Sequence, residues 1–139
     1  ASWGLSFIGA EASNAIREAA QSKNSKIKAA AIAALGEQIQ SYEDEIAKDL
    51  VLNALDDPNI SVRVEATTLL GKLNQAKWTN TFLIRKLTDS SPNVKKRAAL
   101  SLMKLNASEA IKDLQRVYKV EKDLDVANIF KLAIDQLIG

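Results

Sequence analysis

Residues 57–73 read DPNISVRVEATTLLGKL, and the parts of this string return at a near-constant interval along the 139-residue chain. With Val62 as anchor, the equivalent positions are Ile27, Val94 and Val126, at separations of 35, 32 and 32 residues. A period in this range marks a stacked repeat architecture, because one unit cannot bury its apolar face alone. Three residues before the anchor stand Asn24, Asn59, Ser91 and Asp123. All four are types whose side-chain oxygen accepts from an unpaired N–H in the first turn of a helix. Five before it stand Ser22, Asp57, Asp89 and Glu121. Four after it come Ala31, Ala66, Ala98 and Phe130, and eight after it Leu35, Leu70, Leu102 and Ile134. Offsets of 0, +4, +8 and +11 trace one face of an α-helix. Leu73, Leu105 and Leu137 continue that face at +11, and Gln38 breaks it. The comparison makes Asn59 the N-cap of its helix and moves Asp57 into the turn, with Arg63 as its expected partner.

Between the anchored helices lie second apolar stripes. Ile46, Leu50, Val51 and Leu55 form one, Phe82, Leu83 and Leu87 another, and Ile111, Leu114, Val117 and Tyr118 a third. Ser41, Thr79 or Asn80, and Ser108 are candidate caps for these helices. Glu43, Asp44 and Glu45 follow Ser41 and suit the positive end of a helix dipole better than a metal site. Residues 1–11, with Trp3, Leu5, Phe7 and Ile8, do not fit the repeat and read as an N-terminal cap.

The string resembles the HEAT repeat in its short DPxxxVRxxAxxxLGxL form, found in HEAT-like proteins of the phycobilisome-lyase type. Asp57, Pro58, Val62, Arg63, Ala66, Leu70, Gly71 and Leu73 carry the match. The third copy departs with Met103 in place of the glycine, and the fourth with Ala127 and Asp135 in place of the basic residue and the glycine. The resemblance implies an all-α, right-handed α-solenoid (superhelix) of about four HEAT-like helical hairpins. One domain over 1–139 is expected, with a cap at 1–11 and repeats at 12–40, 41–75, 76–107 and 108–139. Ala1 is not a start methionine, so processing or excision from a longer chain is expected. HEAT units place their second helices on the concave side, which exposes offsets +1, +2, +5, +6 and +9. The partner-binding residues expected on that face are Arg63, Val64, Thr67, Thr68, Lys95, Lys96, Leu100, Met103, Lys104, Asn128 and Lys131. Lys28, Ala29, Ile32, Ala99 and Asp135 share these offsets.

Composition narrows the chemistry. Apolar residues make up 47% and aromatics 5%, which suits closely stacked helices. The chain has no cysteine, so no disulfide, thiolate nucleophile or cysteine metal site is expected. It has no histidine, the commonest general base and metal ligand. The His-Glu iron motifs of HEAT-like deoxyhypusine hydroxylases are therefore absent, and no Gly-rich phosphate loop is present. The expectation is a non-enzymatic, cytoplasmic protein-binding scaffold with no cofactor, no metal and no membrane span.

Charge is divided unevenly. Residues 41–75 hold three basic and seven acidic residues, a net of −4, and residues 76–107 hold seven basic and one acidic, a net of +6. The basic third repeat suggests a protein partner with an acidic surface. Nucleic-acid binding through its phosphates is the alternative, and a bilin-lyase-related or phycobilisome-associated role follows only from the type of repeat. The opposed charges also allow self-association.

Overall fold

The computed structural model describes residues 14–42, 45–73 and 76–139, with side chains at all of them except 37, 38, 40–42, 76 and 77. The expected N-terminal cap, Glu43, Asp44 and the side chain of Ser41 lie outside the described residues. Every regular element among the described residues is helical: α1 (14–19), α2 (Ser25–Tyr42), α3 (Glu45–Ala54), α4 (Ile60–Lys72), α5 (Ala76–Lys86), α6 (Pro92–Lys104), α7 (Ile111–Val120) and α8 (Leu124–Ile138). A short 3-10 turn, Ser108–Ala110, leads into α7. The chain forms two compact units, residues 1–66 and 67–139, and the division falls inside α4.

In the first unit α2 packs against α3. Ala31, Ile32, Leu35 and Ile39 of α2 are buried, as are Ala47, Val51 and Ala54 of α3, followed by Leu55. The stripe of α3 is displaced from the expected one. Ile46 is 57% exposed and Leu50 half-buried, and Ala47 and Ala54 take the inward positions. Small side chains on that face let the helices approach closely. The anchor position is also open here, with Ile27 49% exposed, whereas Val62, Val94 and Val126 are fully buried.

In the second unit α5 packs on α6, α7 on α8, and α6 on α8. Each second helix therefore has neighbours on two sides. Leu83 of α5 and Leu87 just after it, Val94, Ala98, Ala99 and Leu102 of α6, Leu114 and Val117 of α7, and Val126, Phe130, Ala133 and Ile134 of α8 are all buried. Phe130 fills the slot held by alanine in the other copies and is completely enclosed.

The turns repeat one hydrogen-bond scheme. The residue five before the anchor accepts from the backbone N–H of the residue three before it in all four copies: Ser22 from Asn24 at 3.0 Å, Asp57 from Asn59 at 2.9 Å, Asp89 from Ser91 at 2.8 Å, and Glu121 from Asp123 at 3.2 Å. Asn24, Asn59 and Asp123 then cap their helices through Oδ1, each accepting from two N–H groups of the first turn. The expected cap at Asn59 is thus present. Ser91 differs, because its side chain makes no capping bond, and Pro92 opens the helix instead. Proline at the first helical position lacks an N–H that would otherwise have no intrahelical partner.

The caps expected for the first helices fall elsewhere. Helix α2 runs through Ser41, so that residue does not start a helix. Thr79 and Asn80 sit inside α5, buried, and Asn80 donates to the Glu109 carboxylate. Ser108 begins the 3-10 turn rather than capping α7. Helix α6 closes on Asn106, the one non-glycine residue with positive φ (55°) among the described residues. The Ala107 N–H donates to the Leu102 carbonyl and the Asn106 N–H to the Met103 carbonyl, both at 3.0 Å. This is the Schellman arrangement that satisfies the last carbonyls of a helix.

Candidate binding face and its cleft

The basic residues at offset +1 are held by the turns. In the first unit Lys28 Nζ pairs with the Asp57 carboxylate, which belongs to the following repeat. In the second unit Lys95 Nζ meets Glu121 Oε2 at 2.9 Å, the same slots two repeats later. Side chains at these pairs are 26% and 9% exposed, and 21% and 9% exposed. Arg63 lies against its own turn, where Nη1 donates to the carbonyls of Asp57 at 2.8 Å and Pro58 at 3.2 Å. The expected Asp57–Arg63 pairing is therefore through the Asp57 backbone, and the Asp57 carboxylate takes Lys28. Burial alone would raise the Asp57 pKa. The hydrogen bonds from Lys28 and the Asn59 N–H, with the charges of Lys28 and Arg63, outweigh it and hold the carboxyl below its ordinary value.

Offset +5 is buried, not exposed. Thr67, Ile32 and Ala99 are each 0% exposed, and only Lys131 in the last copy stands open. Thr67, expected to face a partner, is thus enclosed. Its carbonyl accepts from Ser101 Oγ at 3.3 Å. Around Thr67 the reason is local: α6 comes against this end of α4, where Ser101 lies next to Gly71 and bonds the Thr67 carbonyl.

The other expected residues are accessible. Arg63, Val64, Thr68, Lys95, Lys96, Leu100 and Met103 are half-buried, and Lys104, Asn128 and Lys131 are exposed. Arg63 and Val64 belong to the first unit, and the rest to the second.

Four of the seven basic residues in 76–107 can be assigned to the fold or left aside. Lys86 is buried and lies 3.7 Å from Asp89. Arg85 stacks over the Phe82 ring at 5.7 Å, and Trp78 meets the same ring edge-on at 6.3 Å. Lys95 is bound to Glu121, and the Lys77 side chain is outside the described residues. Lys96, Arg97 and Lys104 remain, and no carboxylate among the described residues pairs with them.

Two of these three line a cleft of about 210 Å³ between the end of α4 and α6. Gly71 and Ser101, both buried, line it, with Thr68 and Leu100 half-buried beside them. Lys72, Arg97 and Lys104, all exposed, complete the lining. The cleft lies wholly in the second unit. Sequence reasoning named Thr68, Leu100 and Lys104 but missed Lys72, Arg97 and Ser101, because the close approach at Gly71 brings them together and no offset rule encodes it. A second cleft, of about 330 Å³, is lined by Leu87, Thr88, Lys95, Val117, Val120, Glu121 and Lys122. Lys95 and Glu121 in this lining are paired with each other. No helix of the described residues is long and apolar enough to cross a membrane.

A family model described as HEAT repeats matches residues 47–134. The chain is 38% identical over 134 residues to the bilin biosynthesis protein MpeU of Synechococcus sp. (strain WH8020). That alignment covers 96% of this chain and 45% of the relative, so the chain spans less than half the relative's length. Among solved structures it is similar to human deoxyhypusine hydroxylase in complex with glycerol, with a TM-score of 0.73 and 20% identity over 96% of this chain and 46% of that one. It is also similar to an engineered protein, with a TM-score of 0.63 and 18% identity over 94% and 64%. Both likenesses concern the fold.

Proposed function

Because this chain belongs to the HEAT repeat family, we propose that it is a protein-binding module of bilin-handling machinery, taking its partner on the second-helix face of residues 67–139. The observation that carries the reading is the make-up of that face. Lys96, Leu100, Met103 and Lys104 on α6, with Thr68 on α4, are accessible and mix cations with apolar surface. Protein recognition uses such a mixture, with apolar contact for affinity and charge for specificity and encounter rate. A phosphate backbone asks for cations in sequence along its path, and the apolar Leu100 and Met103 interrupt them. The bilin context comes from the 38% identity to a bilin biosynthesis protein along almost the whole chain. Binding, rather than catalysis, fits a chain without histidine or cysteine.

The test is co-expression of the tagged chain with pigment-bearing phycobiliprotein subunits in a bilin-producing host, followed by affinity purification. Coloured subunits eluting with the chain, and lost with Leu100→Asp/Met103→Asp, are expected. A chain that elutes without pigment protein overturns the bilin context. Retention by the double variant overturns the face.

A further inference from the structure

We infer that the α4–α6 cleft is a carboxylate receptor, which seats an acidic side chain from an extended segment of the protein partner. The inference rests on the binding reading above and gives that partner a chemistry.

Three observations converge on it. First, the fold uses Arg85, Lys86 and Lys95 for ring stacking and ion pairs, and leaves Arg97 and Lys104 without a carboxylate among the described residues. Second, these two and Lys72 line one small cleft with the buried Gly71 and Ser101 and the half-buried Thr68. Third, its size of about 210 Å³ is below the range of roughly 300–1,000 Å³ typical of small-molecule pockets, and suits a side chain better than a cofactor.

The electrostatic balance holds. Lys72 and Lys104 occupy the last turns of α4 and α6, where each helix end carries about half a negative charge. Arg97 and Lys104, which no described carboxylate pairs, already exceed the two half charges, so the cleft stays net positive. Arg97 offers a planar fork suited to a carboxylate, Lys104 a mobile point charge, and the Thr68 hydroxyl a neutral donor. Leu100 lies beside them for the methylenes of a glutamate stem.

The experiment uses the full chain and three fluorescent probes: an N-acetylated Glu-Ser hexapeptide, its Gln-Ser counterpart, and a short DNA duplex. Binding is read by anisotropy at low salt, and Thr68, Gly71 and Ser101 amide resonances are followed by NMR. The glutamate peptide should bind, shift those three resonances, and weaken roughly tenfold or more with Arg97→Glu/Lys104→Glu. Arg97→Gln/Lys104→Gln guards against misfolding and should give an intermediate loss. Lys112→Glu/Lys119→Glu, on the exposed side of α7, should leave binding unchanged. Equal loss in the α7 variant, no loss in the cleft variants, or tighter binding of the duplex overturns the inference. A pigment protein that binds the chain but ignores the cleft variants removes the receptor and leaves the proposed function standing. Peptide binding without any pigment protein does the reverse.

Discussion

Gly71 and Ser101 stand so close that a Cβ on Gly71 would come within 2.4 Å of the Ser101 hydroxyl oxygen and 2.6 Å of its Cβ. The hydroxyl is itself engaged, donating to the Thr67 carbonyl one turn earlier on α4. The glycine of the repeat string is therefore a packing residue. It lets α4 and α6 meet and brings Thr68, Lys72, Arg97 and Lys104 around one cleft.

Gly71→Ala should accordingly destabilise the protein by roughly 1–3 kcal/mol, despite alanine's better helix propensity. Ser101→Gly combined with it should recover part of the loss, since both the hydroxyl and the Cβ in the way are then gone. Denaturant melts of the two single variants and the double variant measure the coupling. Additive losses would show that the close approach carries no energetic weight.

Asp57 makes stability depend on pH. Its carboxyl is held below its ordinary value of 3.8. A group whose folded pKa is depressed lends stability that is full above the unfolded pKa and lost as pH falls through the folded one. Asp57→Asn should therefore melt below the wild type at pH 7, with the gap shrinking as the pH drops below 3.8. A gap unchanged down to pH 2 would assign the loss to the hydrogen bond with the Asn59 N–H alone.

Lys95 is predicted to act on stability more than on binding. Its bond to Glu121 joins the third repeat to the fourth. Lys95→Met should cost about 0.5–1 kcal/mol at low salt and less at high salt. Partner affinity should change far less than with the Arg97/Lys104 variants, a contrast that titration calorimetry on both proteins can measure.

At Asn106 the backbone already adopts the left-handed turn that glycine prefers. Asn106→Gly should be neutral or stabilising by up to about 0.5–1 kcal/mol, and Asn106→Val should destabilise by about 1–2 kcal/mol. Thermal melting separates the two outcomes.

The repeat spacing, the anchors Val62, Val94 and Val126, and the caps at Asn24, Asn59 and Asp123 were legible because each depends on local sequence: a helical period and a side chain two or three residues from its bond. The burial of Thr67 was not legible, since it depends on α6 lying against the end of α4 at Gly71 and Ser101. The assignment of cations was only half legible. Offset +1 pointed to the turns, but the carboxylate bound by Lys28 belongs to the next repeat. Arg63, the expected partner of Asp57, lies in the same repeat and does not reveal that longer link. The cleft was least legible, as it arises where two helices a repeat apart approach at a glycine.

Hydrogen–deuterium exchange on the chain alone and with its co-purified partner tests the binding face most directly. Protection concentrated at Thr67–Lys72 and Lys96–Lys104, with α5 and α7 unchanged, is the predicted footprint. Protection confined to α5 and α7, with the cleft residues exchanging as in the free chain, would contradict it.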